Sequence, residues 1–419
     1  MIVSPTPLGA RRDVRVAAVI TGGSTAGDMA AQAALTLRLH DDSAGWPFGA
    51  GWAVAALLLA NSVPALLCVP LAGWAADRCD SRRTLLVSGL LCAVLCTGLA
   101  FARQPWWLLA LVAGIAAVSS TATATLGALL PVMAGRAGVV RAGTVLRGAV
   151  LIGGVTGLAA GASASASVGV TTILLLSAVT FAVLGVGATA IQARRGGPRR
   201  SAPAAVAPVP EPPVASVGSR RRCWQLTAGY AVVLLLVSTT NVAQVFFVKD
   251  TLGASNVGYG LVSACWTVGT AAALPLVRRA SPEPDRLVMV TLFGELVVGM
   301  AITGCAVPAG LAATAACYVL AGAGACAMQI AWGAVLALST PEDRRGRQLA
   351  GYNAVVRMAA SAALGVGGLL LAWVGPRGVY LVSGAGSVLV AVLAGLIWTG
   401  RAAVHRGKTT SHIQHNGTD

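Results

Sequence analysis

The chain has 419 residues, 56% of them hydrophobic and only 11% charged, with a mean hydropathy of +0.77. That is too little charge to cover a soluble surface, and the apolar runs of about 20 residues are long enough to cross a ~30 Å hydrocarbon core as helix. A net charge of +16 raises nucleic acid as a partner. The arginines, however, stand in short clusters between apolar runs, which is a topology signal, and no basic aromatic-bearing module lies outside them.

Turn and charge signals place twelve spans at 16–40, 47–72, 84–102, 106–134, 138–165, 168–193, 223–249, 255–277, 286–307, 309–339, 346–374 and 377–400. No alternating ten-residue pattern points to a β-barrel, the other structure a bilayer permits. The expectation is an all-α membrane protein of twelve transmembrane helices in two six-helix bundles. The first apolar run contains Asp28 and lacks a small-x-small cleavage site, so it reads as a retained span. Residues 1–193 form the first half and 223–400 the second, followed by a tail, 401–419. Between them, 194–222 carries six prolines with arginine clusters at both ends, the composition of an extended linker. The N-terminal arm, the even-numbered loops and the tail hold 24 of the 30 Lys and Arg, and the odd-numbered loops four: Arg38, Arg103, Lys249 and Arg377. The split predicts both termini in the cytoplasm of a multi-pass inner (plasma) membrane protein.

The halves echo each other. Met29-Ala-Ala-Gln32 matches Asn241-Val-Ala-Gln244, Pro70-Leu71 matches Pro275-Leu276, and Arg147 matches Arg357, at offsets of 212, 205 and 210. A parallel repeat of this kind places a substrate site between the halves near the bilayer midplane.

Between spans 2 and 3 stands Gly73-Trp-Ala-Ala-Asp77-Arg78-Cys-Asp80-Ser-Arg82-Arg83. This resembles the signature loop of the major facilitator superfamily. Asp80 and the flanks Gly27-Asp28, Pro64, Pro70-Leu-Ala-Gly73 and Leu130-Pro131 resemble its siderophore and macrolide exporter branch, and Asp343-Arg-Arg-Gly-Arg347 precedes span 11. The resemblance implies that Gly73, Asp77, Arg78, Arg82 and Arg83 form a conformational latch, with Asp77 meeting the start of span 11. A carboxylate at a helix N-terminus is worth about 0.3–1 kcal/mol, enough to bias a two-state equilibrium and small enough to break in each cycle. Without the resemblance the loop reads as a topogenic basic cluster. Gly153, Gly157 and Gly161 in span 5 match part of the family's antiporter motif, whose proline is replaced by Leu158. Their spacing of four makes a groove for close helix packing.

Ionisable groups inside a membrane are costly and point to function. Asp28 lies near the middle of span 1. The resemblance implies that spans 1, 4, 7 and 10 line the central cavity, where this carboxyl would take up and release a proton; the other reading is a carboxylate held by Ser24 and Thr25. One proton moving down ~100 mV supplies about 2.3 kcal/mol, roughly a forty-fold substrate gradient. Glu295 in span 9 is the second coupling candidate, although the family places that span at the periphery. Arg147 and Arg357 are gate candidates with Asp343, and snorkelling to headgroups is their alternative role. Gln32, Thr121, Asn241, Gln244, Gln329 and Trp332 are the candidate lining of a largely apolar substrate cavity. Nine cysteines with no CxxC and four scattered histidines suggest neither disulfides nor a metal site, so no metal or cofactor is expected beyond the proton gradient.

These readings converge on a secondary transporter that exports a bulky amphipathic drug-like or natural-product molecule by proton exchange. An importer or uncoupled facilitator of the same fold is the nearest alternative, ahead of a flippase or a non-transporting membrane protein. No nucleophile, metal cluster or paired carboxylate suggests an enzyme. The expected partners are the lipid bilayer and a small-molecule substrate, with no nucleic acid, and the chain is expected to act as a monomer.

Overall fold

The computed structural model describes residues 7–41, 49–165, 167–193, 220–278, 283–307, 310–339 and 345–415. Most of the proposed linker and all of Asp343 lie outside these residues. Every long regular element among the described residues is an α-helix. Span 1 is Pro7–Asp41, span 3 Ser81–Phe101, span 6 Val170–Gly187, span 7 Arg220–Phe246, span 8 Asn256–Arg278, span 9 Pro284–Cys305 and span 10 Gly310–Ser339.

Three places differ from the sequence-based division. Span 2 breaks into Ala50–Leu67 and Val69–Arg78, because Pro64 and Pro70 each remove a backbone donor. Spans 4 and 5 share Pro105–Ser165 as two apolar crossings, Pro105–Ala134 and Ala142–Ser165. Leu130 comes within 3.6 Å of a Cβ built on Gly143. On a straight helix those positions would be about 20 Å apart, so the chain doubles back between them. Spans 11 and 12 share Arg345–His415, which turns at Gly375 (φ 69) before Pro376. A left-handed φ suits glycine alone among common residues, and the proline prevents the first helix from continuing.

Ten segments among the described residues are long and apolar enough to cross a membrane. The last, Ala354–Trp398, has 45 residues and contains the turn at Gly375, so it supplies two crossings. Pro7–Asp41 is not among the ten because Thr21-Gly-Gly-Ser-Thr-Ala-Gly-Asp28 dilutes its apolar character. Its 35 residues nonetheless pack along spans 5 and 6 as a full crossing. With it the count is twelve.

Lipid tails are as apolar as leucine, so helices in a bilayer associate through close packing of small residues. Span 1 lies in the groove of span 5: a Cβ on Gly153 would come 2.2 Å from Gly22 O, one on Gly157 2.2 Å from Ala26 O, and one on Gly161 2.4 Å from Ala30 Cα. Gly89 meets Gly185 between spans 3 and 6, and Gly299 meets Gly384 between spans 9 and 12. This contact recurs in the repeat and shows that the two halves share one internal architecture. Large side chains such as Val94, Phe101, Phe293, Met300 and Leu396 point outward and exposed, as a lipid-facing surface requires. Trp106, Trp107 and Trp373 are also exposed, whereas Trp398 packs on the Leu287–Val288 cluster.

The alternation of spans defines two faces. One carries residues 7, 78–81, 193 and 220 and is called the terminal face. The other, the far face, carries 41, 49–50, 101–105, 165, 167–170, 251–256, 305–307, 310 and 375. Gly157→Val forces a side chain into a neighbouring backbone and is expected to cost roughly 1–3 kcal/mol, read as a lower melting temperature in detergent. Gly73→Ala, with nothing within 4 Å of the new Cβ, is expected to leave that temperature unchanged.

Candidate functional site

The Asp28 carboxyl is turned into the interior of the first half. It lines two cavities that lie one after the other across the membrane. The one toward the terminal face has a volume of about 130 Å³ and is walled by Thr21, Ser24 and Thr25 of span 1, Ser88 and Cys92 of span 3, Ser119 and Thr123 of span 4, and Phe181 of span 6. The one toward the far face has about 30 Å³ and is walled mainly by Leu35, Leu57, Leu58, Leu99, Val112 and Ile115, with Gln32, Asn61 and Cys96. A water needs roughly 10–15 Å³ of such space, so the first cavity holds several and the second one or two. Asp28 sits at the junction and has no hydrogen-bond partner among the described residues. The resemblance implied a place on the cleft between the halves; every residue lining these two cavities belongs to the first half.

Glu295 is 2% exposed, and its Oε2 has no partner among the described residues. It faces Tyr230 of span 7, whose ring stacks on Trp332 at 4.6 Å and 5°. Tyr230 also interacts with Gln329, and the Trp332 Nε1 is buried without a partner among the described residues. Asp28 and Glu295 thus occupy the interiors of different halves and are not brought together.

The other candidates separate by environment. Gln244 is buried and donates to Ser263 Oγ of span 8 at 2.8 Å, which holds two helices together. Asn241 and Gln329 are exposed, and Thr121 is half-buried. Arg147 is exposed and lies within electrostatic reach of Cys326 of span 10, so it faces the second half; Arg357 is exposed as well. In the loop after span 2, Asp80 caps span 3 by accepting from the backbone of Arg82 and Arg83 at 3.0 and 3.1 Å. Arg82 donates to Ile191 O at 2.6 Å, and Arg78 stacks over Trp74 at 5.7 Å. Gly73 faces open space. The contacts of Asp77 lie outside what is described.

Several residues were not foreseen from sequence. Asp13 is fully buried and accepts from the backbone N–H groups of Gln192 and Ala193, which ties the end of span 6 to the start of span 1. At the far face, His40 Nε2 lies 3.1 Å from Asp250 and Lys249 Nζ 2.6 Å from Asp41. The first of these is an ion pair only while His40 is protonated. His40-Asp41 ends span 1, and Lys249-Asp250 lies in the wide π-type turn Phe247–Thr251 that ends span 7. The two dipeptides are 209 residues apart, at matching places in the repeat, so each basic side chain meets the acid of the other half. That repeated basic–acidic dipeptide was the signal available in the sequence. Around it, Asn256 bonds Ser165 at 3.2 Å, Gly260 abuts Ala162, and Gly368 abuts Ala55. These contacts close the halves against each other at the far face.

The architecture and its polar interior define a polytopic transporter made of two pseudo-symmetric helical bundles. The chain belongs to the Major Facilitator Superfamily, whose profile matches residues 17–247 and 226–415. No curated protein sequence matches it. Among solved structures it is similar to a POT family transporter in complex with a thioalcohol-conjugated peptide, at TM-score 0.72 and 11% identity, over 93% of this chain and 96% of that one. It is similar to the nucleoside transporter NupG at TM-score 0.69 and 11% identity, over 93% and 99%. A bacterial homologue of the human lysosomal transporter Spinster, inward-facing and unoccupied, aligns at TM-score 0.65 and 14% identity, over 93% and 96%. At such identities the likeness is one of fold.

Asp41 and Asp250 are about half exposed, so each far-face pair is expected to contribute about 0.2–1 kcal/mol. Asp41→Asn is expected to raise labelling of a cysteine placed at Ala55 by up to about fivefold, the population change that range allows. Mass spectrometry of the labelled site reads the result.

Proposed function

We propose that this protein is a proton-coupled exporter of a bulky amphipathic molecule, working by alternating access between the two halves. The observation that carries the coupling is Asp28: a carboxyl inside the bilayer, without a hydrogen-bond partner among the described residues, opening onto a hydroxyl-lined chamber. A buried carboxylate is stable only with a partner or a proton, so protonation and release at this group have a large effect on how the first half packs.

The far-face seam supports the alternating part of the cycle. The Lys249–Asp41 ion pair, the His40–Asp250 contact, one amide–hydroxyl bond and glycine contacts are enough to hold the halves together and weak enough to part. With the terminal face assigned to the cytoplasm on the distribution of Lys and Arg, the described conformation is closed to the outside. Gly73 at the cytoplasmic end of span 2 then has open space where a Cβ would stand, as a released latch would. Arg147 and Arg357, exposed in spans 5 and 11, fit gate elements on the same side, and Glu295 fits a second coupling group in the other half. Export is favoured by the likeness of the Gly73–Arg83 loop and its flanks to siderophore and macrolide exporters. Asn241 and Gln329 fit a cleft with few charges, which suits an amphipathic molecule better than a sugar or an anion.

Cells producing the wild-type protein are expected to accumulate less of an amphipathic fluorescent dye than control cells, and a protonophore should abolish the difference. Asp28→Asn is expected to lose this protonophore-sensitive efflux while remaining in the membrane at wild-type abundance. Undiminished efflux by Asp28→Asn would remove that carboxyl from the mechanism.

A further inference from the structure

We propose that the chamber around Asp28 is a sodium site inside the first half, separate from the cleft between the halves. This rests on Asp28 as the coupling carboxylate and names a second ion that competes with the proton for it.

Most of the hydroxyl hydrogens around Asp28 are committed elsewhere. Ser24 and Thr25 both donate to Thr21 O, at 3.0 and 2.8 Å. Ser119 donates to Ala116 O at 3.1 Å, and Thr123 to Ser119 O at 3.0 Å. A hydroxyl carries a single proton and two lone pairs, so these four side chains offer the chamber oxygen lone pairs and no hydrogen. Thr21 Oγ1, also on the chamber wall, is buried without a partner among the described residues. An ionised carboxylate accepts only. Among the described wall hydroxyls only Thr21 and Ser88 keep a hydrogen free to turn toward Asp28; the other four offer the carboxylate lone pairs alone.

A protonated carboxyl needs one acceptor beside it. Six hydroxyl oxygens, those of Thr21, Ser24, Thr25, Ser88, Ser119 and Thr123, are more than that, and they match the ligand set of a hard cation, which takes carboxylate, neutral oxygen and water together. A single carboxylate balances one positive charge, which favours a monovalent ion over calcium or magnesium. The cavity of about 130 Å³ leaves room for waters to complete the shell, since each needs roughly 10–15 Å³. The other titratable groups on the two cavities are the thiols of Cys92 and Cys96 on span 3; spans 2, 4 and 6 bring only neutral side chains. Among the described residues lining the two cavities, nothing charged competes with the carboxylate for the ion.

The test is thermal unfolding of the purified full chain in sodium chloride against choline chloride, at one pH and one ionic strength. Sodium at ten times its dissociation constant is expected to raise the folded-to-unfolded ratio about elevenfold, and lowering the pH is expected to raise the sodium concentration needed. Asp28→Asn should lose the sodium effect. If that variant does not fold, Ser24→Ala combined with Ser119→Ala, which removes two ligand oxygens and no charge, should weaken sodium binding several-fold. Identical unfolding in sodium and choline, with dye efflux still abolished by a protonophore, overturns the sodium site and leaves proton coupling standing. Efflux indifferent to both ions and to Asp28→Asn overturns both.

Discussion

A hydrocarbon interior offers no hydrogen bonds, and the structure follows from that constraint. Every backbone donor must be paired inside the protein, by a helix or a closed barrel, and apolar runs of about 20 residues select the helix. Hydroxyls follow the same rule: Thr36, Thr97, Thr125 and Thr303 all donate to the carbonyl four residues earlier. Because burial of apolar surface does not drive helices together in lipid, close approach at Gly153, Gly157 and Gly161, and at the pairs Gly89–Gly185 and Gly299–Gly384, takes its place.

Against that background a polar group without a partner stands out. Gln244 has found Ser263, Asp13 has found two backbone N–H groups, and Asp80 caps a helix. Asp28, Glu295 and the Trp332 indole have none among the described residues. The first two lie in the interiors of opposite halves, each walled by spans of its own half.

The seam between the halves is of a different kind. The two-fold relation of the repeat carries span 1 onto span 7, so a basic–acidic dipeptide at the end of each produces two crossed pairs from one pattern. The pairs sit at the edge of the membrane, where Asp41 and Asp250 remain in contact with water, and their strength is correspondingly modest. A seam of buried pairs would be far harder to reopen.

The sequence by itself determined the class of fold, the twelve crossings and the two-half repeat, because apolar run length, charge placement and internal similarity are local properties of the chain. It also singled out Asp28 and Glu295, since an acid in the middle of an apolar run needs no neighbours to be noticed. Only the tertiary structure decided which way those acids face. Helix rotation is set by where glycines allow contact, and Gly22, Ala26 and Ala30 in the groove of span 5 turn Asp28 toward spans 2, 3, 4 and 6. The helix breaks within spans 2 and 7, the stacking of Tyr230 on Trp332, and the crossed far-face pairs likewise depend on residues distant in the chain. Periodicity along one segment cannot report which surface of a neighbouring helix it will meet.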